Sequence, residues 1–207
     1  MLRFAIELNK GEAVNMTSTL NVFVKAFATV FTAELGDKTM LATSMIVTMF
    51  KKVWLVLLAS LLAYVTANAL PLLALAFVVN VMSTYISLIR IIVGLGFTII
   101  GALFLLTKGK EERINISGHT SVLSYYILVM LSELGDKTQL ATIGVAAETG
   151  NVFVTFISGS LGYLMANLMA SLIVIRFSKR VKFELLRMIA GIVFVIIGIM
   201  TLIKALG

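Results

Sequence analysis

Residues 34–43 read Glu-Leu-Gly-Asp-Lys-Thr-Met-Leu-Ala-Thr, and residues 133–142 read Glu-Leu-Gly-Asp-Lys-Thr-Gln-Leu-Ala-Thr. Nine of the ten positions are identical, with Met40 facing Gln139 at the tenth. Four of the ten acidic residues in the chain, Glu34, Asp37, Glu133 and Asp136, fall in these two blocks. Each block lies inside a long apolar stretch, where an ionised carboxylate is costly unless it is paired, protonated or bound to a cation.

The rest of the chain places those stretches in a membrane. Of its 207 residues 60% are hydrophobic, mean hydropathy is +1.07 and there is a single proline, a composition that leaves too little charge for a soluble surface. Six apolar stretches stand out: 18–49, 53–79, 84–106, 121–147, 152–175 and 185–206. Each reaches the roughly 20 helical residues that cross a hydrocarbon core of about 30 Å. The sequence predicts an all-α membrane protein of six transmembrane helices. The first stretch is long for one crossing, since its 32 residues would span roughly 48 Å as a single helix. A helix broken at Gly36, and by analogy at Gly135, would bring backbone carbonyls toward an ion, although close helix packing is an equally simple use for glycine.

The repeat extends beyond the motif. A 99-residue offset aligns Tyr64, Ala67 and Asn68 with Tyr163, Ala166 and Asn167, and a two-residue deletion then aligns Arg90, Gly94, Phe97 and Gly101 with Arg187, Gly191, Phe194 and Gly198. The chain reads as an extension over 1–15, a three-helix unit over 16–106, a polar connector over 107–120 and a second unit over 121–207. Three crossings per unit insert the second copy upside down, giving two inverted three-helix repeats, an architecture typical of transporters.

A net charge of +7 follows topology rather than a nucleic-acid footprint. Arg3, Lys10, Lys25, Arg90 and Lys204 fall on the face of the termini, while Lys51, Lys52, Lys108, Lys110, Arg113, Arg176, Lys179, Arg180, Lys182 and Arg187 fall on the other. The richer face is expected to be cytoplasmic, with both termini outside and the connector inside. The lack of cysteine excludes disulfides, thiolate metal sites and cysteine catalysis. Residues 1–15 lack the apolar core of a signal peptide. His119, the sole histidine, reads as a solvated connector residue.

Glu34 and Asp37, like Glu133 and Asp136, are three apart and would share one face of a helix. If the motif helices cross, both carboxylate pairs converge, and oxygen-rich clusters suit hard or intermediate divalent cations such as Ca²⁺ and Mn²⁺. Lys38 and Lys137 leave the cluster at minus two, a charge that one divalent cation or two protons would neutralise. Structural ion pairs are the alternative, because each lysine follows its glutamate by four residues. Asn68 and Asn167 carry amide oxygens able to ligate a cation. Thr39, Thr138, Thr43 and Thr142 offer hydroxyls, which also serve as bonds to the preceding turn. Met40 is a candidate thioether ligand or a gap filler, and Pro71, three residues after Asn68, can kink its helix.

Two Glu-x-Gly-Asp-(Lys/Arg)-(Thr/Ser) signatures, on the first and fourth of six stretches, resemble the Golgi-type divalent cation/proton exchanger family of the lysine-exporter superfamily. Both match at every defined position. The resemblance implies Glu34, Asp37, Thr39, Glu133, Asp136 and Thr138 as cation-binding residues, no cofactor, and exchange of Mn²⁺ or Ca²⁺ for protons. The expected function is an alternating-access exporter of Mn²⁺ in a bacterial plasma membrane, its partners being the cation, protons and lipid, with no nucleic acid. A Ca²⁺/H⁺ antiporter is the alternative within transport. A non-transporting scaffold and an intramembrane aspartyl protease are the alternatives outside it; the protease needs two aspartates sharing a proton, whereas here each Asp arrives with a Glu and a Lys.

Overall fold

The computed structural model describes residues 2–82, 85–106, 121–177 and 183–206, which form eight α-helices and no strand among them. The helices are α1 (Leu2–Glu34), α2 (Lys38–Phe50), α3 (Val53–Met82), α4 (Ile86–Leu106), α5 (Val122–Glu133), α6 (Lys137–Thr149), α7 (Val152–Phe177) and α8 (Phe183–Leu206). The connector 107–120, with His119, lies outside the described residues. Among the described residues, four segments are each long and apolar enough to cross a membrane as one helix: Val53–Phe77, Ile86–Leu106, Val152–Arg176 and Met188–Leu206. α1 runs from Leu2 with no break at residue 16.

The two motif stretches are each divided between two helices. Gly36 and Gly135 take φ of +73° and +75°, the left-handed region that an L side chain enters only at a cost of roughly 1–2 kcal/mol. Before each break the chain tightens through three-residue bonds, Asp37 N–H to the Glu34 carbonyl at 3.0 Å and Asp136 N–H to the Glu133 carbonyl at 3.2 Å. Glu34 and Asp37 therefore do not share a helical face as their spacing suggests. Glu34 is the last residue of α1 and Asp37 the N-cap of α2; Glu133 and Asp136 hold the same places on α5 and α6.

Packing depends on small residues, because lipid provides no hydrophobic drive between helices. α4 and α8 lie antiparallel at close range: a Cβ on Gly101 would stand 2.7 Å from the Gly191 carbonyl oxygen, and one on Gly198 2.7 Å from that of Gly94. α1 and α2 pack on α7, while α3 packs on α5, α6 and α7. The Tyr64 and Tyr163 rings stack at 4.4 Å between centroids, and Phe97 meets Phe194 edge-on at 5.6 Å. Outward-facing apolar side chains, such as Phe77 at 84% exposure, suit a hydrocarbon solvent.

Candidate cation site

Both breaks open into one place. Carboxylate oxygens of Glu34, Asp37 and Glu133 lie within 4.8 Å of one another, and Glu34 and Glu133 are wholly buried. The C-terminal ends of α1 and α5 carry the two glutamates, so the partial negative charge of each half-helix end falls where a cation would sit. Asp136 stands beside the trio rather than in it, its Oδ1 held by Lys38 at 3.3 Å.

The lysines pair across the halves. Lys137 binds Asp37 and Lys38 binds Asp136, so each reaches an aspartate of the other motif. The reason is local: the four-residue neighbour relation holds only on a continuous helix, and a glycine break separates Glu34 from Lys38. Lys137 also lies over the Phe104 ring, 5.0 Å from its centre.

The remaining polar groups divide into those that orient the carboxylates and those left open. Thr39 Oγ1 donates to Glu34 and, at 3.2 Å, to Asp37 Oδ2. Thr138 Oγ1 reaches Glu34 Oε2 at 3.5 Å. Asn167 Nδ2 donates to Glu34 Oε1 at 3.1 Å and to the Tyr163 carbonyl at 3.0 Å, and Asn68 Nδ2 donates to the Tyr64 carbonyl at 3.0 Å. Left buried without a hydrogen-bond partner are both oxygens of Glu133, Oδ2 of Asp136 and the amide oxygens of Asn68 and Asn167. Unpaired buried acceptors are costly; here they come from the two carboxylates of the second motif and from the paired asparagines. Thr43 and Thr142 instead bond the carbonyls of Thr39 and Thr138. Met40 packs in an apolar cluster with Leu35, Ala170 and Ala190.

Two residues that break the repeat symmetry prove to be partners. Pro71 has no N–H, so the Ala67 carbonyl four residues earlier loses its helical donor; Gln139 Nε2 occupies that carbonyl at 2.8 Å. Gln139 Oε1 accepts the Gly135 N–H, also at 2.8 Å, so one side chain ties the second break to α3. Sequence reasoning noted both residues and missed the link, which the four-residue rule at proline signals. It also missed the hydroxyl cluster of Tyr163 with Ser60 at 2.9 Å, Tyr64 with Thr142 at 2.8 Å and Thr43 with Tyr125 at 2.6 Å.

A helical membrane protein with a buried carboxylate cluster between broken helices belongs to the class built to pass cations through an occluded site. The family model described as "Divalent cation/proton antiporter GDT1" matches residues 22–112 and 121–207, and the chain belongs to that family of integral membrane transporters. A Vibrio cholerae serotype O1 protein named "Putative manganese exporter" is 25% identical over 197 residues, covering 92% of this chain and 96% of that protein. The "GDT1-like protein C186.05c" of Schizosaccharomyces pombe is 32% identical over 75 residues, 36% of this chain and 28% of that protein. No solved structure gives a significant match.

Proposed function

We propose that the chain exports Mn²⁺ in exchange for protons through a single site to which both halves contribute. The observation that carries this reading is the meeting of Glu34, Asp37 and Glu133, two from one motif and one from the other, with both Glu133 oxygens buried and unpaired. Such a group holds either a cation or a proton, and competition between them is the basis of exchange. Asn68 and Asn167 supply amide oxygens, Thr39 and Thr138 orient Glu34, and Lys38 and Lys137 hold the aspartates while the site is empty. Mn²⁺ is supported by the name of the Vibrio relative. Ca²⁺ is the second reading, favoured by an all-oxygen donor set.

In this reading α1 with α2, and α5 with α6, each make one broken crossing, so that six crossings form two inverted repeats of 16–106 and 121–207. Contacts between repeat counterparts support it: Tyr64 meets Tyr163 and Phe97 meets Phe194, and a residue touches its own counterpart only near the axis relating the two. The family match also falls in two stretches, with residues 113–120 of the connector between them. Both termini face outward from a bacterial plasma membrane and the connector is cytoplasmic. Cation flux in liposomes containing only this protein tests the function: uptake of Mn²⁺ against a proton gradient is expected, and its absence for both Mn²⁺ and Ca²⁺ would refute it.

A further inference from the structure

A second buried charge cluster lies away from the carboxylates. Lys25 of α1 pairs with Glu148 of α6 and donates to Thr201 Oγ1 of α8 at 3.2 Å. Glu148 is only 6% exposed, and the positive charges of Arg90 and Lys204 bear on Lys25 from α4 and α8. Among the described residues, the Glu148 carboxylate of α6 thus faces cations carried by α1, α4 and α8. The pair sits nine residues before Glu34 on α1 and eleven after Lys137 on α6, about 14 Å and about 16 Å along the helices from the site.

The duplication gives an internal control. The counterparts of Lys25 and Glu148 are Ser124 and Met49, and both are exposed. α1 packs against α6 and α8, and α4 against α6. The corresponding backbones in the other half, α5 with α2, α5 with α4 and α8 with α2, come less close among the described residues; there α5 meets α2 through side chains, Thr43 bonding Tyr125 at 2.6 Å within an apolar cluster that includes Ile46 and Val129. The two related half-bundles are therefore held differently, one with its backbones drawn together around an ion pair and the other by an uncharged hydroxyl pair and apolar side chains.

We infer that Lys25 and Glu148 form the lock that closes one end of the carboxylate site, and that the structure is the state shut at the Glu148 end. The lock rests on the alternating-access reading above. It joins the half-helix that ends in Glu34 to the one that begins at Lys137, so separating the pair parts the elements bearing the two motifs. Removing Glu148 leaves Lys25 among Arg90 and Lys204 with no counter-charge, and the end opens.

The lack of native cysteine provides a direct test. Val145 of α6 is fully buried between the pair and the site, and Val129 of α5 is fully buried in the other half. With Val145→Cys as probe, Glu148→Gln and Lys25→Met should each raise the rate of labelling by an impermeant thiol reagent at least tenfold. The exchange Lys25→Glu with Glu148→Lys should return it toward the parental rate, and Val129→Cys should label no faster in any variant. Unchanged labelling at Val145→Cys, equal gains at both probes, or an exchanged pair that labels like the single variants would overturn the lock. Metal flux by the parental chain is read in the same vesicles: absent flux sinks the transport reading, whereas normal flux with unchanged labelling sinks the lock alone.

Discussion

Lys137, in the second motif, is ion-paired with Asp37, in the first. The relation is reciprocated by Lys38 and Asp136 at 3.3 Å, so neither half completes its own charge balance. The cluster of Glu34, Asp37 and Glu133 carboxylates forms where the two halves meet.

That cross-pairing makes the two residues energetically coupled. Asp37→Asn leaves Lys137 without its counter-charge and should destabilise the protein by about 2 kcal/mol, less than a fully buried pair would lose because Lys137 retains some exposure. Lys137→Met added to Asp37→Asn should cost less than the sum of the separate changes. Thermal unfolding in detergent of the two single variants and the double variant reads the coupling; strict additivity would show that the pair does not form.

Pro71 and Gln139 predict a second coupling. Gln139→Met, which copies the first motif, leaves the Ala67 carbonyl and the Gly135 N–H unpaired and should cost about 1–3 kcal/mol. Pro71→Ala restores a backbone donor to Ala67, so Gln139→Met should cost less in that background. An equal cost in both backgrounds would mean that Gln139 serves Gly135 alone.

Exchange implies a definite sign of pH dependence. Protons compete with the cation for the same carboxylates, so metal affinity falls as pH falls on the metal-loaded side. Two protons displaced per divalent cation would give a limiting slope of about a hundredfold per pH unit. Titration of Mn²⁺ binding against pH measures the slope, and Asp136→Asn should reduce it. An affinity indifferent to pH would exclude competition at the site.

Topology is testable with the same cysteine-free chain. Single cysteines at Ser117 and Gly207 should react with an impermeant reagent from opposite sides of the membrane. Reaction from one side would refute an even division of the crossings about the connector.

Much of this architecture is legible in the sequence because it follows from local chemistry. Twenty-residue apolar stretches gave α3, α4, α7 and α8 within a few residues, and Gly36 and Gly135 marked where the motif helices end. The repeat also singles out Tyr64 and Tyr163, whose rings stack. What the sequence withheld are relations across the halves. Once the helix ends at Glu34, the spacing of Glu34, Asp37 and Lys38 no longer dictates who faces whom, and tertiary approach pairs Lys38 with Asp136. Likewise Lys25 reads as an ordinary charge at a helix end until packing brings Glu148 to it from 123 residues away.

The most direct test of the shared site is proton-coupled flux. Liposomes holding the protein and a pH-sensitive dye are given external Mn²⁺, with counter-ions controlled. Entry of the metal should drive protons out and raise internal pH. Glu34→Gln and Glu133→Gln should each abolish both signals while still inserting and folding, and Lys51→Gln should leave them unchanged. Mn²⁺ entry without a pH change, or parental flux by either glutamine variant, would contradict a single proton-exchanging site built from both halves.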